Sequence, residues 1–277
     1  LGTGLTIYAP AIILSGLLGW NINYLNIIIG LLVIVYTVTG GTKAVNVTQK
    51  QQMFIILLGM LITFFWILYY LPNDMSFSNA MHIAGANDKM NIVNFSFDPE
   101  EKYTFWSGIT GGFFLALAYF GTDQSQVGRY LSGKSVRESQ MGLLMNGLLK
   151  VPMQFFILLT GVMVFVFFQF NPVPLNFNPN NKIIVENSPF KKEYHSLEKK
   201  LEALSEDKKV INLLYIDQLN QDYDNPILRK EMIALSDKEK DLRDRAKELI
   251  SKANKNNETN DKDYVFFHFI LNYLPKG

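Results

Sequence analysis

The chain has 277 residues, with 26 Lys/Arg against 25 Asp/Glu, a formal net charge of +1, three histidines and no cysteine. Near-neutrality excludes a charge-driven nucleic-acid partner, and the lack of cysteine excludes disulfides, thiolate metal sites and cysteine nucleophiles. The charge is unevenly spread: residues 171–264 hold 17 Lys/Arg and 18 Asp/Glu, and the remaining 183 residues hold only nine and seven. Two physically different surroundings follow.

In chain order, uncharged apolar segments occupy 5–20 (LTIYAPAIILSGLLGW), 25–40 (LNIIIGLLVIVYTVTG), 53–71 (MFIILLGMLITFFWILYYL), 103–121 (YTFWSGITGGFFLALAYFG) and 151–170 (VPMQFFILLTGVMVFVFFQF). A helix needs about 20 apolar residues to cross a bilayer core, and most of these runs lack the polar stripe of a water-facing helix. Five transmembrane helices are expected. The loops at 41–52 and 122–140 carry Lys43, Lys50, Arg129, Lys134 and Arg137, whereas 72–102 is acidic, with Asp74, Asp88, Asp98, Glu100 and Glu101. Positive-inside bias therefore places the first two loops in the cytoplasm, 72–102 outside and, by alternation, 171–264 outside as well.

The outer segment opens on "NPVPLNFNPN", where prolines and asparagines stop the preceding helix. Leu197, Leu201, Leu204, Ile211 and Leu214 then recur at helical spacing among Lys and Glu. Asn225 with Pro226 reads as a helix start, "SDKE" at 236–239 as a capping box, and Glu239/Arg243 and Asp241/Arg245 as i,i+4 pairs. A small charged helical insert is predicted, either a solvated face or a lid. From Tyr264 the chain turns apolar again, and a further membrane helix is expected to begin near 274–277. The expected organisation is a membrane part at 1–170, the insert at 171–263 and the truncated start of a helix at 264–277. The opening at Leu1, with no initiator Met, is read as that of a piece of a longer protein.

Four places carry polar chemistry within this apolar frame. Gly40-Gly41 suits a tight turn, and Asn46, Gln49 and Gln52 line one face of the helix that follows, either for interfacial solvation or along an ion path. Ser107, Gly108, Gly111 and Gly112 sit in the outer half of the 103–121 helix, for close packing or for local unwinding that exposes backbone to a polar cavity. Tyr119 lies toward its inner end, as a belt residue or as part of a site. Ser135 with Glu138 reads as a capping box, and Asn146, Lys150 and Gln154 share one face of the helix it starts. An ionisable side chain within a membrane segment is costly unless it snorkels or faces protein or water, which makes Lys150 a candidate functional residue. No catalytic triad, phosphate cradle, metal cluster or facing carboxylate pair is visible, so no enzyme activity and no covalently bound cofactor are expected.

Three motifs, "YAPAIILS" at 8–15, "GGTKAVNVTQKQQ" at 40–52 and "GTDQSQVGRYLSGKS" with "LLKVP" at 121–152, resemble the sodium:solute symporter family, which includes sugar, iodide, proline and pantothenate symporters. "LPKG" at the end is similar to the opening of the helix that bears the family's main sodium site. The resemblance implies an all-α polytopic membrane protein with an inverted-repeat, five-plus-five-helix transporter fold, of which about five helices, core helices three to seven, fall in this chain. It implies a sodium-coupled secondary active transporter that carries a small solute by alternating access, with sodium as coupling ion and the lipid bilayer as surroundings. The candidate substrate residues are then Tyr119, Ala116, Phe120, Lys150, Asn146 and Gln154, and Gly121, Thr122, Asp123, Gln124 and Arg129 form a gating and cytoplasmic turn. Tyr119 falls where sugar members place a gating tyrosine, and Ala116 where one of them has a substrate-binding asparagine. Gln49 is the ion-path candidate; the family often has aspartate there. The main sodium ligands would lie on core helices one and eight, outside this chain, so no metal ligand is assigned. The expected location is a bacterial inner (plasma) membrane with the insert outside. The alternative is a membrane sensor whose transporter-like domain couples to a signalling module. Oligomeric state and substrate identity are not legible.

Overall fold

The computed structural model describes residues 2–91, 94–98, 104–131, 135–254 and 259–275. It is 79% helix, with no strand among the described residues. Two units are described separately: residues 1–75 together with 167–277, and residues 76–166.

The first unit opens with α1 (Gly2–Leu18), followed by a turn in which Gly19 takes a φ of 67° and the Ser15 hydroxyl donates to the Trp20 carbonyl (2.7 Å). Asn21 then caps α2 (Ile22–Tyr70), its side chain accepting from the Asn23 N–H. Helix α2 is interrupted at Gly41, whose φ of 56° and ψ of −158° lie outside helical space, and its halves Ile22–Gly41 and Ala44–Tyr70 are each apolar and long enough to cross a membrane. The loop expected at 41–52 is therefore a break at Gly41 followed directly by helix. The reason is local: Gly41 absorbs the change of backbone conformation in a single residue, and no longer connection is needed. A Cβ on Gly40 would collide with that of Ala44, so both glycines of the pair are required by the turn.

Against the five expected spans, three helices among the described residues have the length and composition to cross a membrane: the two halves of α2, and α6 (Val136–Phe167). Helix α1 has 17 residues, and α4 (Phe105–Leu117) has 13 before it passes into a five-residue π-helical turn. The apolar side chains of the three long helices are largely exposed, Leu31, Phe65 and Leu144 among them. Leaving a Leu or Phe side chain in water rather than burying it costs about 1.5–3 kcal/mol, a penalty that a hydrocarbon surrounding removes.

The rest of the first unit is the charged insert, with α7 (Pro179–Glu186), α8 (Lys191–Leu219) and α9 (Pro226–Ala253), followed by the short apolar α10 (Tyr264–Tyr273). Its core is Leu175, Val185, Tyr194, Leu197, Leu201, Ala246, Leu249 and Ile250. The Leu197/Leu201/Leu204 stripe is buried as expected, but it continues through Lys208, Asn212, Tyr215 and Ile216, while Ile211 is only half-buried and Leu214 is exposed. The 3.6-residue period carries the stripe away from Leu214. Asn225 caps α9 and Pro226 occupies its first turn. "SDKE" at 236–239 caps nothing, because α9 runs unbroken through it; Glu239 instead pairs with Arg243 (2.9 Å) and Lys208, and Asp241 with Arg245 (3.1 Å).

An aromatic cluster joins the exits of the membrane helices. The Tyr70 and Phe167 rings stand 6.1 Å apart, Phe167 lies 4.9 Å from Phe269 and 4.7 Å from Tyr273, and the Trp66 indole N–H donates to the Tyr273 carbonyl (2.8 Å). Helix α10 packs on this cluster and ends at an extended Leu274. The membrane helix expected to begin at 274–277 falls largely on residues 276 and 277, outside the described residues.

The second unit contains α3 (Phe77–Ala86), α4, the π turn, α5 (Gln124–Leu131) and most of α6. Helix α3 lies within what reads as an outer loop; Ser76 caps it and Asn79, Ala80, Ile83, Ala84 and Ala86 are buried. Thr104 and Ser107 form a reciprocal capping box at the start of α4. Ser135 accepts from the Glu138 N–H (3.2 Å) at the start of α6, the half of the expected box formed by the serine.

Candidate functional site

Helix α4 keeps regular α geometry past Gly108, Gly111 and Gly112, and a Cβ at any of them meets open space. The irregularity lies at the other end of the helix. From Ala118 to Thr122 the chain adopts a π-helical turn, closed by the Asp123 N–H donating to the Ala118 carbonyl (3.0 Å), five residues back. The Thr122 hydroxyl donates to the same carbonyl at 2.9 Å. Single π turns inside helices cluster at functional sites, because the extra residue redirects the side chains around it. Here those side chains are Tyr119 and Phe120, edge to face with centroids 5.1 Å apart; Tyr119 is half-buried and Phe120 exposed.

Lys150 meets this turn. Its Nζ lies 5.5 Å from the centre of the Tyr119 ring, within cation–π range. It is the only charged residue between Ser139 and Phe170, and none occurs between Thr104 and Thr122. Lys150 stands fourteen residues into α6, about 21 Å from its start at 1.5 Å per residue. A lone ammonium at that depth gains from a π face about 0.5–1 kcal/mol where solvated and about 2 kcal/mol or more where desolvated. Pro152 follows inside the helix and has no N–H to offer the Leu148 carbonyl. Asn146 and Gln154 are exposed and occupy the i−4 and i+4 positions on the same face. The arrangement brings together a cation and an aromatic face, with two amides at helical spacing on the same face as the cation.

Of the remaining sequence candidates, Ala116 lies in the last turn of α4, Gly121 and Thr122 in the π turn, Asp123 in the extended link and Gln124 at the start of α5. The side chain of Arg129, and Lys134 altogether, lie outside the described residues. Gln49 is exposed near the start of Ala44–Tyr70, in the other unit. The structure thus joins Tyr119 to Lys150 and leaves Asn146, Gln154 and Gln49 placed by helical position. Sequence reading missed the π turn; its signal was the helix-breaking order aromatic-aromatic-Gly-Thr-Asp, with a threonine able to bond back to the helix. Among the described residues no group of three His, Asp or Glu side chains is arranged to hold a metal ion.

The profile of the Sodium:solute symporter family matches residues 4–200. The chain is 32% identical over 148 residues to the human sodium/iodide cotransporter, covering 52% of this chain and 22% of that protein. It is 33% identical over 145 residues to mouse sodium-coupled monocarboxylate transporter 2 (52% and 23%) and 32% identical over 140 residues to a putative sodium-dependent multivitamin transporter of Drosophila melanogaster (50% and 23%). The chain therefore spans under a quarter of the length of these relatives. No solved structure matches it. With apolar helices able to span a bilayer and a family match over most of its length, the chain belongs to the sodium:solute symporter family.

Proposed function

We propose that the chain is the middle part of a sodium-coupled secondary active transporter that moves a small solute through the membrane by alternating access. The observation that supports this is the Lys150 ammonium 5.5 Å from the centre of the Tyr119 ring at a π turn, a polar contact in an otherwise uncharged helical frame. The solute meets Tyr119 and Phe120 from one side, Lys150, Asn146 and Gln154 from the other, and passes Ala116 at the end of α4. Gly121, Thr122, Asp123, Gln124 and Arg129 form the cytoplasmic end of the gate. Sodium is the coupling ion and is cargo, held mainly by helices outside this chain, with Gln49 on its path. Sodium and solute each favour the same conformational state, so each raises the affinity for the other.

In this reading the chain supplies five crossings, counting α1 and α4 with its π turn, which correspond to core helices three to seven of an inverted repeat. The insert lies outside: the Asn220 amide donates to the Asp74 carbonyl (3.1 Å), tying α8 to the acidic segment that positive-inside bias places outside. A bacterial inner membrane draws no support from these animal relatives. Two of the relatives are named for the transport of iodide or monocarboxylates, and solutes of that kind are the first to try.

The test is sodium-driven uptake by the full-length protein in proteoliposomes, with iodide, acetate, pyruvate, glucose and proline as candidate solutes. Sodium-dependent uptake lost in Tyr119→Ala and Lys150→Ala supports the reading. Uptake that persists in both variants at unchanged affinity removes the site, and no sodium dependence for any solute removes the function.

A further inference from the structure

We propose that the tip of the α8–α9 hairpin rests on the bilayer surface, with Leu213, Tyr223 and Ile227 in contact with zwitterionic lipid headgroups. These three side chains are 39–72% exposed although they belong to the otherwise charged insert. Their position, not their exposure alone, identifies what covers them. The Asn212 amide donates to the Gln169 carbonyl (3.3 Å), two residues past the end of α6, and the Asn220 amide donates to the Asp74 carbonyl, four residues past the end of α2. The ends of those two helices stand side by side, since the Tyr70 and Phe167 rings are 6.1 Å apart. Eight residues of α8 between the contacts span about 12 Å, close to the spacing of neighbouring packed helices. The C-terminal half of α8 thus lies across the exits of two membrane helices.

Leu213 precedes Asn220 by seven residues, two helical turns, and so shares the side of α8 turned toward the end of α2. Val210 and Leu214 lie further round α8, opposite the buried Asn212 that contacts the end of α6, and are not part of this patch. Tyr223 and Ile227 continue the patch around the hairpin turn. At the same level α2 presents Tyr69, 79% exposed, and Tyr70, the amphipathic aromatics that favour the membrane–water boundary. Headgroups extend roughly 5–7 Å beyond the hydrocarbon, and interfacial helices sink about 5–10 Å into that boundary, which is the reach these side chains need. Asp217, Asp222 and Asp224 flank the patch, with Lys209 and Arg229 as the nearest cations in sequence; Asp224 already accepts from the Tyr215 hydroxyl and Arg229, and Asp217 from Gln221. These carboxylates repel anionic lipid and favour the ammonium of choline or ethanolamine headgroups.

The test uses the full-length protein in phosphatidylcholine vesicles, with single cysteines at Leu213, Tyr223 and Ile227 carrying an environment-sensitive fluorophore and the exposed Lys238 as reference. The expected result is a blue-shifted emission at the three sites, quenching by spin-labelled lipid, and loss of quenching by aqueous acrylamide, none of it at Lys238. Emission at the three sites like that at Lys238 overturns the proposal by placing the tip in water. A blue shift untouched by lipid quencher overturns it by placing the tip against protein, either the remainder of the transporter or a second copy. A further shift on adding phosphatidylserine overturns the headgroup assignment. Tyr223→Trp with brominated lipid, read without a label, gives the same discrimination where labelling disturbs the fold.

Discussion

The Lys208 ammonium, on α8, lies 2.6 Å from the Glu239 carboxylate, on α9, with both side chains largely buried between the helices. Glu239 also takes the Arg243 guanidinium at 2.9 Å, whereas Glu239 is the only carboxylate within salt-bridge distance of Lys208 among the described residues. The two deletions are therefore unequal. Glu239→Leu leaves Lys208 buried without a counter-charge and is expected to cost about 3–5 kcal/mol of local stability. Lys208→Met leaves Glu239 paired with Arg243 and is expected to cost about 1–3 kcal/mol. Hydrogen exchange of α8 and α9 amides in the full-length protein measures both; equal losses would refute the asymmetry.

The insert is also expected to lose stability at both ends of the pH scale. Burial alone would raise the Glu239 pKa, but Lys208 and Arg243 outweigh it and hold the carboxyl below its ordinary value. A depressed folded-state pKa gives stability that is present above the unfolded value, about 4.3, and is lost as pH falls through the folded one. Tyr215 behaves oppositely: burial first, then its hydrogen bond to Asp224, pushes the hydroxyl up to about 12. Its contribution is complete below the unfolded value of about 10 and disappears as pH rises toward the folded one. Tyr194, also raised by burial, acts in the same sense. Exchange protection of α8 followed from pH 9 to about 12 should fall in the native protein and fall less steeply in Tyr215→Phe. An identical slope in the variant would assign the loss to other groups.

At Gly41 the backbone sits at φ 56° and ψ −158°, a region that only glycine occupies readily. Gly41→Ala is expected to strain the break by about 1–3 kcal/mol, lowering the thermal stability of detergent-solubilised full-length protein. Gly30→Ala, in the regular part of the same helix where a Cβ meets open space, should leave stability unchanged or raise it by up to about 1 kcal/mol. A drop of equal size at Gly30 would show that any added methyl is harmful there, rather than the Gly41 conformation being required.

The membrane character of the chain was legible because lipid leaves no need for a polar stripe, and the Ser135 and Asn225 caps were legible because capping is a contact within a few residues. Two kinds of feature were not. Helix α3 hides in a segment that reads as a loop because its buried face is built from alanines, Asn79 and Ile83, which give little periodic contrast. Gly108, Gly111 and Gly112 suggest either close packing or local unwinding, since glycine weakens a helix; yet they are accommodated in regular helix, and the irregularity is the π turn at Ala118–Thr122, where Thr122 and Asp123 both bond to the Ala118 carbonyl. The Tyr119–Lys150 contact spans 31 residues and depends on how α6 packs, which no local pattern encodes.

Helix α8 offers a direct test of how the insert's apolar stripe runs. Leu201 and Leu214 belong to the same sequence pattern, but Leu201 is 2% exposed within the core that contains Tyr194 and Ile250, and Leu214 is 50% exposed. Truncating a buried leucine removes transfer energy and leaves a cavity, so Leu201→Ala is expected to cost about 2–5 kcal/mol. Leu214→Ala removes exposed surface and should change α8 protection by no more than about 0.5 kcal/mol in detergent, where the bilayer is absent. Comparable losses in the two variants would mean that the stripe continues along the leucines, with α8 rotated so that Leu214, and not Tyr215 with Ile216, faces the core.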